Sequence, residues 1–499
     1  MESFFADLTK KEWYFQGFNA VPALLYGPAF SMVRDMPAFL GYGYTASVIF
    51  FEQEKAYYLY AWDDLERIFR ELWERYTKDA GYLTYIEREN ERICTEVLAA
   101  YQKIGSENWA VLSPDIVYSL WREVNRLCGR LLSVSHCIEG FTLVTEGRIR
   151  NLVAQEYGDD TDTMMLLTMP SRHSFITTER YDLCCILRLA TQKEISAITA
   201  GSLLLDSVIQ EKIRRHQQKY FWKLNSYTSA KYVTTEDFTK ELEGYSTHPE
   251  DIGKTIQEYE RLPEHLEKKR ALLQKISNVE LIDLLRMQDT IFQIHDRRKE
   301  CLTISVHYLD FLLAEIAKRA GVPIEDARYT RISELEDLST MKDELAKRRT
   351  GSLYVLLQNA SEYLFAGEEA KQLFHLFQRK NIQDSFVSSA VSNSKQLKGN
   401  CASLGKACGR VKVCRGEKEI ANVEVGDILV ACMTQPEYVP AMKKAAAVIT
   451  DEGGLNCHAA IICRELGIPC LVGTATATHV LKDGMRVEVD ATRGIVTIL

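Results

Sequence analysis

Apolar residues recur at helical spacing over most of the chain. The longest such run extends from about Val279 to Ala320. Its apolar positions, separated mostly by threes, fours and sevens, include Leu281, Leu285, Phe292, Leu302, Leu309, Leu312 and Ile316. Gly321 and Pro323 follow, and both residue types are typical of a helix end. Because the heptads are irregular, the pattern favours a packed helical bundle over a coiled coil, and we predict a helical domain at 151–384.

Residues 1–150 are also predicted to be mostly helical, with one small β element. Ser47–Phe51 and Ala56–Tyr60 are apolar and aromatic runs separated by a polar stretch, a pattern typical of a β-hairpin. Asp63 and Asp64 follow, and either aspartate can cap a helix that continues through Tyr76.

The periodicity changes after residue 385. Five of the residues from 385 to 394 are serines, so we predict a serine-rich linker at 385–396, with an ordinary surface loop as the alternative. Beyond the linker, short apolar runs predict strands at 409–413, 427–431, 448–449, 469–472, 487–490 and 495–498. The predicted fold class is therefore multidomain, with mostly α-helical N-terminal and central regions and a C-terminal α/β domain at 397–499.

Composition excludes several classes of function. The 499 residues are 46% hydrophobic and 26% charged, as in ordinary globular proteins, and the formal net charge of -8 argues against nucleic-acid binding. No uninterrupted apolar run is long enough to span a bilayer, so no membrane association is predicted. The 13 cysteines form no CxxC pair, so we predict no metal site and no disulfide framework. The N-terminus lacks signal-peptide features, and free thiols suit a reducing compartment, so a cytoplasmic location is expected.

A histidine near the C-terminus lies at a turn that suits an anion. A buried apolar strand precedes Gly453 and Gly454, and a short amphipathic helix follows. Asn456 is predicted as its N-cap, which places Cys457 first and His458 second in the helix. Unpaired amides there can receive phosphate oxygens, and Arg464 can add positive charge. A neutral imidazole can accept a phosphoryl group and pass it on, although a histidine that merely caps or packs is the alternative.

The sequence around this histidine resembles the mobile phosphohistidine domain of phosphoenolpyruvate-utilising enzymes. The family includes phosphoenolpyruvate synthase, pyruvate phosphate dikinase, rifampicin phosphotransferase and phenylphosphate synthase. The resemblance covers residues 397–499 and rests on Leu397-Lys398-Gly399, Gly405-Lys406-Ala407-Cys408-Gly409, Gly426-Asp427-Ile428-Leu429-Val430, Met433-Thr434-Gln435-Pro436, Thr450-Asp451-Glu452-Gly453-Gly454, His458-Ala459-Ala460, Arg464-Glu465-Leu466-Gly467-Ile468-Pro469 and Val472-Gly473-Thr474. It implies that 397–499 is a swivelling domain and that His458 carries the phosphoryl group. Many family members have threonine or serine where this chain has Asn456, so control by phosphorylating that hydroxyl is not expected.

The resemblance also implies parts that this sequence does not contain. Family members charge the histidine at an ATP-grasp domain, which we do not find, and no P-loop is present. We therefore expect a separate ATP-grasp nucleotide-binding subunit that binds ATP and Mg²⁺, converts ATP to AMP and phosphate, and charges His458. No cofactor is expected on this chain itself.

Residues 150–385 more weakly resemble the helical segment that precedes the carrier in rifampicin phosphotransferase, which binds the acceptor. The resemblance rests on diffuse motifs, among them Pro170-Ser171, Ser174-Phe175, Tyr181-Asp182-Leu183, Glu315-Ile316-Ala317-Lys318-Arg319-Ala320-Gly321 and Glu325-Asp326-Ala327-Arg328-Tyr329. It implies that this region binds a small-molecule acceptor such as an alcohol, phenol or carboxylate. The candidate acceptor-binding residues are Arg172, His173, His295 and Arg298; a solvated helix face is the alternative for each.

Three functions are consistent with these features. The first is a phosphotransferase component, dikinase-like and one subunit of a complex, in which His458 passes a phosphoryl group from the ATP-grasp subunit to the acceptor. The second is a non-catalytic phosphohistidine regulator whose helices bind a protein partner. In the third, phosphoenolpyruvate rather than ATP charges the carrier.

Overall fold

Most of the chain forms helices in the computed structural model, which describes residues 3–158, 160–193, 199–246, 249–359, 361–388, 396–414, 417–434, 438–454, 457–474 and 476–499. The helices that precede residue 390 are α1 (Ser3–Leu8), α2 (Pro22–Phe30), α3 (Met36–Leu40), α4 (Trp62–Lys78), α5 (Gly81–Gly105), α6 (Pro114–Ser133), α7 (Cys137–Tyr157), α8 (Thr161–Thr168), α9 (Phe175–Gln192), α10 (Ala200–Leu205), α11 (Ser207–Tyr220), α12 (Thr235–Ser246), α13 (Pro249–Glu260), α14 (Leu262–Leu273), α15 (Val279–Ala320), α16 (Ile324–Ala327), α17 (Lys342–Thr350) and α18 (Glu368–Ser388). A π-helical segment, Ser31–Asp35, joins α2 to α3, and 3₁₀ segments lie at Trp109–Val111 and Ile332–Thr340.

Helix α15 is the central helix of this part of the chain and confirms the longest predicted helix. The Asn278 side chain caps its start by accepting from the Leu281 amide, and Gly321 ends it in the left-handed conformation (φ +63°). It packs against α5, α6 and α7. Its apolar positions are buried on several faces, which explains why its heptads are irregular: one helix contacts several partners rather than one.

The described residues before residue 390, which we call the helical part, also contain a five-stranded antiparallel sheet. This sheet joins the two ends of the helical part. Its strands are β1 (Trp13–Asn19), β2 (Ala46–Glu52), β3 (Lys55–Ala61), β4 (Ser352–Leu357) and β5 (Glu362–Ala366), in the order β1-β3-β2-β4-β5. The β2–β3 hairpin confirms the predicted one. The α4 helix starts at the N-cap Ala61, without a side-chain cap, so the predicted capping by Asp63 or Asp64 is wrong; both acids lie in the first turn instead.

This sheet corrects two further predictions. The region 150–385 is not wholly helical, because β4 pairs with β2 from the N-terminal region, where Val48 lies opposite Val355. The division predicted at residue 150 falls inside α7, which continues to Tyr157 without a break. Residues 1–150 and 151–384 therefore contribute to one sheet and to one shared hydrophobic core.

The C-terminal region contains a second sheet with its own hydrophobic clusters on both faces. Its strands are β6 (Gln396–Lys398), β7 (Asn400–Ser403), β8 (Lys406–Cys414), β9 (Ile428–Ala431), β10 (Ala447–Thr450), β11 (Cys470–Val472), β12 (Arg486–Asp490) and β13 (Ile495–Ile498). Its helices are α19 (Glu417–Ala421), α20 (Val439–Met442), α21 (His458–Leu466) and α22 (Ala477–Val480). The strand order is β6-β13-β12-β8-β9-β10-β11-β7, and β8, β9, β10 and β11 run parallel.

The parallel strands place the predicted histidine at a functional edge of this sheet. Ligands of open α/β sheets bind beyond the carboxyl ends of parallel strands, and β9 and β10 both end at that edge. The six predicted strands are confirmed, and β6 and β7 are additions. Of the predicted linker, residues 389–395 lie outside the described residues, whereas 385–388 form the last turn of α18.

One described stretch, Pro114–Tyr157, is long and apolar enough by composition to cross a membrane, with a mean hydropathy of 1.2 in its most apolar window. The structure divides this stretch into α6 and α7, and 72% of that window is buried inside the fold. Both helices pack on α15, as core helices do.

Candidate active site

The segment 450–458, which we call the His458 corner, connects β10 to α21. Gly453 has a φ of +108°, a left-handed value that glycine adopts without strain. Cys457 has extended dihedrals (φ −74°, ψ 165°), and its carbonyl accepts the first intrahelical bond, from the Ile461 amide at 3.0 Å. Cys457 is therefore the N-cap residue, and His458 is the first residue of the helix.

The predicted start of this helix is wrong by one residue. Asn456 was expected at the N-cap and His458 second in the helix, but the extended backbone of Cys457 delays the start. Asn456 lies outside the described residues, so its role in supporting phosphate stays a prediction. Burial raises the pKa of the Cys457 thiol to about 12, which keeps it protonated and unreactive near neutral pH.

The two nitrogens of His458 have different surroundings. Nδ1 lies 2.8 Å from Oγ1 of Thr434, which follows β9. Nε2 is buried and has no hydrogen-bond partner among the described residues. When Nδ1 carries the proton and donates it to Thr434, Nε2 keeps its lone pair. Nε2 is therefore the atom of His458 that is available as a nucleophile.

The surroundings also keep His458 neutral. Burial, and after it the positive charge of Lys299 on α15, lower its pKa to about 3. Nε2 of His458 is buried, and the neighbouring Gly454 is packed against Glu146 of the helical part. A neutral imidazole is the form that can attack phosphorus.

One residue of α15, Lys299, lies close enough to this corner for its charge to lower the pKa of His458. We call His295, Asp296 and Lys299 the α15 face, since these residues lie within about one helical turn of each other. Burial raises the pKa of Asp296 to about 7, and its Oδ2 accepts from the Phe175 amide at 3.1 Å. Burial, and after it the charges of Arg298 and Lys299, lower the pKa of His295 to about 3. The α15 face thus combines a carboxyl group that titrates near neutrality with a cation.

Arg298, a predicted acceptor-binding residue, lies inside the helical core. Its Nη2 donates to Oε1 of Glu139 at 3.0 Å, and its Nη1 donates to the Ser135 carbonyl at 3.2 Å. Only 6% of Arg298 is exposed, so the alternative of a solvated helix face is also wrong for it. Its guanidinium is used to pair α15 with α7 rather than to hold a ligand.

Several contacts hold the C-terminal region against the helical part, at the His458 corner and beside it. In the corner, the Tyr14 hydroxyl on β1 donates to Oε2 of Glu452 at 2.6 Å. Beside it, Sγ of Cys432 lies 3.6 Å from the Gly17 carbonyl, and Lys443, which follows α20, donates to the Tyr245 hydroxyl on α12. Position 454 requires glycine, because a Cβ there would overlap the carboxylate of Glu146 on α7.

The remaining predicted residues line a cavity of about 360 Å³ beside the corner. Arg172 and His173 contribute to its wall from the helical part, and Arg464 contributes from α21. His173 stacks on Tyr259 with ring centroids 3.7 Å apart, and its Nε2 donates to the Tyr259 carbonyl at 2.9 Å. Nε of Arg464 donates to the Ala460 carbonyl at 3.0 Å, so Arg464 lies at the cavity rather than beside Nε2 of His458.

Sequence reasoning missed four residues at this site. Thr434 and Glu452 belong to the C-terminal motifs but had no assigned role. Asp296 lies between the predicted residues His295 and Arg298 but was not itself predicted, and neither was Lys299. The helical spacing of Asp296 and Lys299, three residues apart and therefore on one face, was the available signal.

Comparison with known families decides the identity of the C-terminal region. Residues 423–494 match the family described as PEP-utilising enzyme, mobile domain. This match includes the whole His458 corner and α21. Residues 423–494 belong to that mobile-domain family.

Relatives of the mobile domain are found in longer enzymes. A probable phosphoenolpyruvate synthase of Archaeoglobus fulgidus is 53% identical over 128 residues, which are 26% of this chain and 17% of the relative. The phosphoenolpyruvate synthase of Pyrococcus furiosus is 61% identical over 100 residues, which are 20% of this chain and 12% of the relative. This chain therefore matches less than a fifth of the length of these relatives. A solved structure of Thermococcus kodakaraensis aconitase X is 25% identical over 21% of this chain and 98% of its own, with a TM-score of 0.18.

The described residues contain no group of three or more histidine, cysteine or acidic side chains placed to hold a metal ion. The ATP-grasp subunit with its ATP and Mg²⁺, and the acceptor, remain predictions.

Proposed function

We propose that this chain is a phosphotransferase component in which His458 of the mobile domain carries a phosphoryl group to an acceptor bound by the helical part. The observation that carries this proposal is the arrangement at His458. Its Nδ1 is held by Thr434, while its unbonded Nε2 is buried against the helical part under the influence of Lys299. The mobile-domain match and the phosphoenolpyruvate synthase relatives support a phosphotransferase role for the region.

The first half-reaction charges the carrier. In this proposal a separate ATP-grasp subunit binds ATP and Mg²⁺, and ATP and water yield AMP, phosphate and a phosphoryl group on Nε2 of His458. The contacts through Tyr14, Gly17 and Tyr245 are polar, and in this proposal they break when the mobile domain leaves this position to be charged.

The second half-reaction returns the carrier to the α15 face. Asp296 takes the proton from the acceptor hydroxyl, and the oxygen attacks phosphorus as the P–Nε2 bond breaks. Lys299 stabilises the charge that spreads over the transferring oxygens. The products are a phosphorylated acceptor and unmodified His458, with an alcohol, a phenol or a carboxylate as the acceptor class; a carboxylate acceptor needs no base.

A labelling experiment tests this function. The chain is incubated with ATP labelled at the β-phosphate, with and without its candidate ATP-grasp partner, and acid-labile label is mapped on the protein. We expect label on His458 only when the partner is present, and its loss to an acceptor when one is supplied. Label from phosphoenolpyruvate but not from ATP would instead favour the phosphoenolpyruvate-charged carrier. Label that no small molecule removes, together with phosphorylation-dependent capture of a protein, would favour the regulator.

A further inference from the structure

The cavity beside the His458 corner lies between five helices of the helical part (α8, α9, α13, α14 and α15) and α21. Its volume of about 360 Å³ is within the range of small-molecule sites. Because α21 carries both His458 and Ile461, a molecule in this cavity lies on the wall of the helix that bears the nucleophile. The question is what chemistry its lining selects.

The side walls of the cavity are apolar. They are formed mainly by Met165, Met169, Leu262, Phe292 and Ile461. Methionine sulfurs pack favourably against aromatic rings, and Phe292 offers a ring for stacking or edge contact. The lining therefore suits a ligand with an aromatic body.

One cation in the wall has no counter-charge. Among the described residues Arg180 on α9 forms no ion pair, and its Nε is buried without a hydrogen-bond acceptor. Of the two acids in the lining, Glu258 is 3.5 Å from Arg261, and Asp162 is exposed on α8. A buried N–H without an acceptor is costly, and a carboxylate, which can accept from Nε and a terminal nitrogen of the same guanidinium, is the group that satisfies it best.

A second cation, Lys443, lies near Arg180. Burial, and after it the charge of Arg180, lower the pKa of Lys443, which follows α20, to about 8, while Glu241 and Glu179 act in the opposite direction. Lys443 lies over the ring of Tyr245, 4.2 Å from its centroid, rather than beside a carboxylate. A ligand anion at Arg180 would therefore also favour the docked position of the mobile domain.

Arg180 and the residue that bonds to Asp296 are on the same helix. Phe175 and Arg180 lie five residues apart on α9, so their backbones are about 8 Å apart along the helix axis. The Phe175 amide donates to Asp296, and Ser174, the N-cap of α9, lines the cavity, so Asp296 lies next to one end of the cavity. A molecule that reaches from Arg180 to Asp296 therefore needs an anion at one end, a hydroxyl at the other and an apolar body between them.

We propose that this cavity holds the phosphoryl acceptor and that the acceptor is an aromatic hydroxy acid. Its carboxylate binds Arg180, its ring lies between Phe292 and Ile461, and its hydroxyl points to Asp296. This inference rests on the proposed function, since it names the substrate class for the same transfer. No phosphoryl donor is needed for the binding itself, so binding and transfer can fail separately.

Calorimetric titration of the full chain without any phosphoryl donor tests the proposal. The probes are 4-hydroxyphenylacetate and 3-(4-hydroxyphenyl)propanoate, each paired with its neutral amide. We expect the acids to bind at least tenfold more tightly than the amides. Arg180→Gln should remove that preference and leave amide binding unchanged, whereas Arg180→Lys should keep part of it.

The matched control is Arg188→Gln, two turns further along α9, where the arginine pairs with Glu260 outside the cavity. This variant should bind the acids as the parent chain does. The proposal is overturned if neither acid binds the parent chain, if acids and amides bind equally, or if Arg180→Gln keeps the preference for acids. Tight acid binding that depends on Arg180, but without any phosphoryl transfer, would leave this site intact and count against the proposed function alone.

Discussion

The His458 corner and the α15 face are the two halves of the candidate site, and they are encoded in different ways. The corner is nine consecutive residues in which a strand end, a glycine pair and a helix start determine each other locally. The surroundings of the α15 face are formed by segments that are distant in sequence. Phe175 on α9 bonds to Asp296, and residues of β1 and α7 contact the His458 corner. A nucleophile can thus be encoded in a short motif, whereas its reaction partner depends on the whole fold.

This difference has a functional counterpart. If the account is correct, changes in the His458 corner impair both charging and transfer, because both use Nε2. Changes in the α15 face impair transfer alone. The predictions below test that separation, with charging assayed by phosphoramidate as a chemical donor and transfer by loss of label to an acceptor.

The largest effect is expected for His458→Ala. Removing the nucleophile should reduce both half-reactions to background, a loss of at least about 10³-fold. His479→Ala is the control, since this histidine of the same domain is exposed on α22. Transfer that survives in His458→Ala would show that another residue carries the phosphoryl group.

Asp296→Asn should leave charging unchanged and slow transfer to a hydroxyl acceptor by about 10²- to 10⁴-fold, the usual range for loss of a general base. Because the pKa of Asp296 is raised to about 7, its basic form is depleted below that pH. Transfer by the parent chain should therefore rise with pH up to about 7 and then level off, and the variant should lack this dependence. An unchanged pH profile in the variant would remove Asp296 from the mechanism.

Lys299→Met should also spare charging, and should slow transfer by about 10²-fold, because it removes the cation that faces the transferring group. A second readout is the pKa of His458, which should rise when the Lys299 charge is removed. Lys318→Met, at the exposed end of the same helix, is the control. Equal losses in charging and transfer would place Lys299 in the same class as the His458 corner and so contradict the separation.

The smallest effect is expected for Thr434→Val, a change of similar shape that removes the hydrogen bond to Nδ1. Loss of a hydrogen bond that contributes about 1 kcal/mol to the orientation of the ring corresponds to about a fivefold decrease in rate, which should appear in both half-reactions. The variant should also accept label on Nδ1 as well as Nε2. A variant with parental rates and a single labelled nitrogen would show that Thr434 does not select the tautomer.

The same contrast explains what could be predicted from the sequence. The C-terminal strands, the long helix α15 and the location of His458 follow from local periodicity and spacing, and all three are present in the structure. The helix start at Cys457 was misplaced by one residue because asparagine is the better N-cap residue, yet Cys457 is the residue with extended dihedrals.

The structure of the helical part was harder to predict from the sequence, for a physical reason. Strand β4 is a continuous apolar run, which periodicity cannot distinguish from a buried helix segment, and its partner β2 lies about 300 residues earlier in the chain. Arg298 was chosen as a ligand because it is charged, but its pairing with Glu139 is visible only once α7 packs on α15. Lys299, its neighbour in sequence, is the cation that acts on His458.

The central claim is that Nε2 of His458 carries the phosphoryl group, and nitrogen-resolved NMR of the phosphorylated chain tests it most directly. Label introduced with phosphoramidate, or with ATP and the partner subunit, is examined by ³¹P–¹⁵N correlation on histidine-labelled protein. The account predicts one phosphohistidine, at His458, with phosphorus bonded to Nε2. Phosphorus on Nδ1 of His458, or on any other residue, would contradict it.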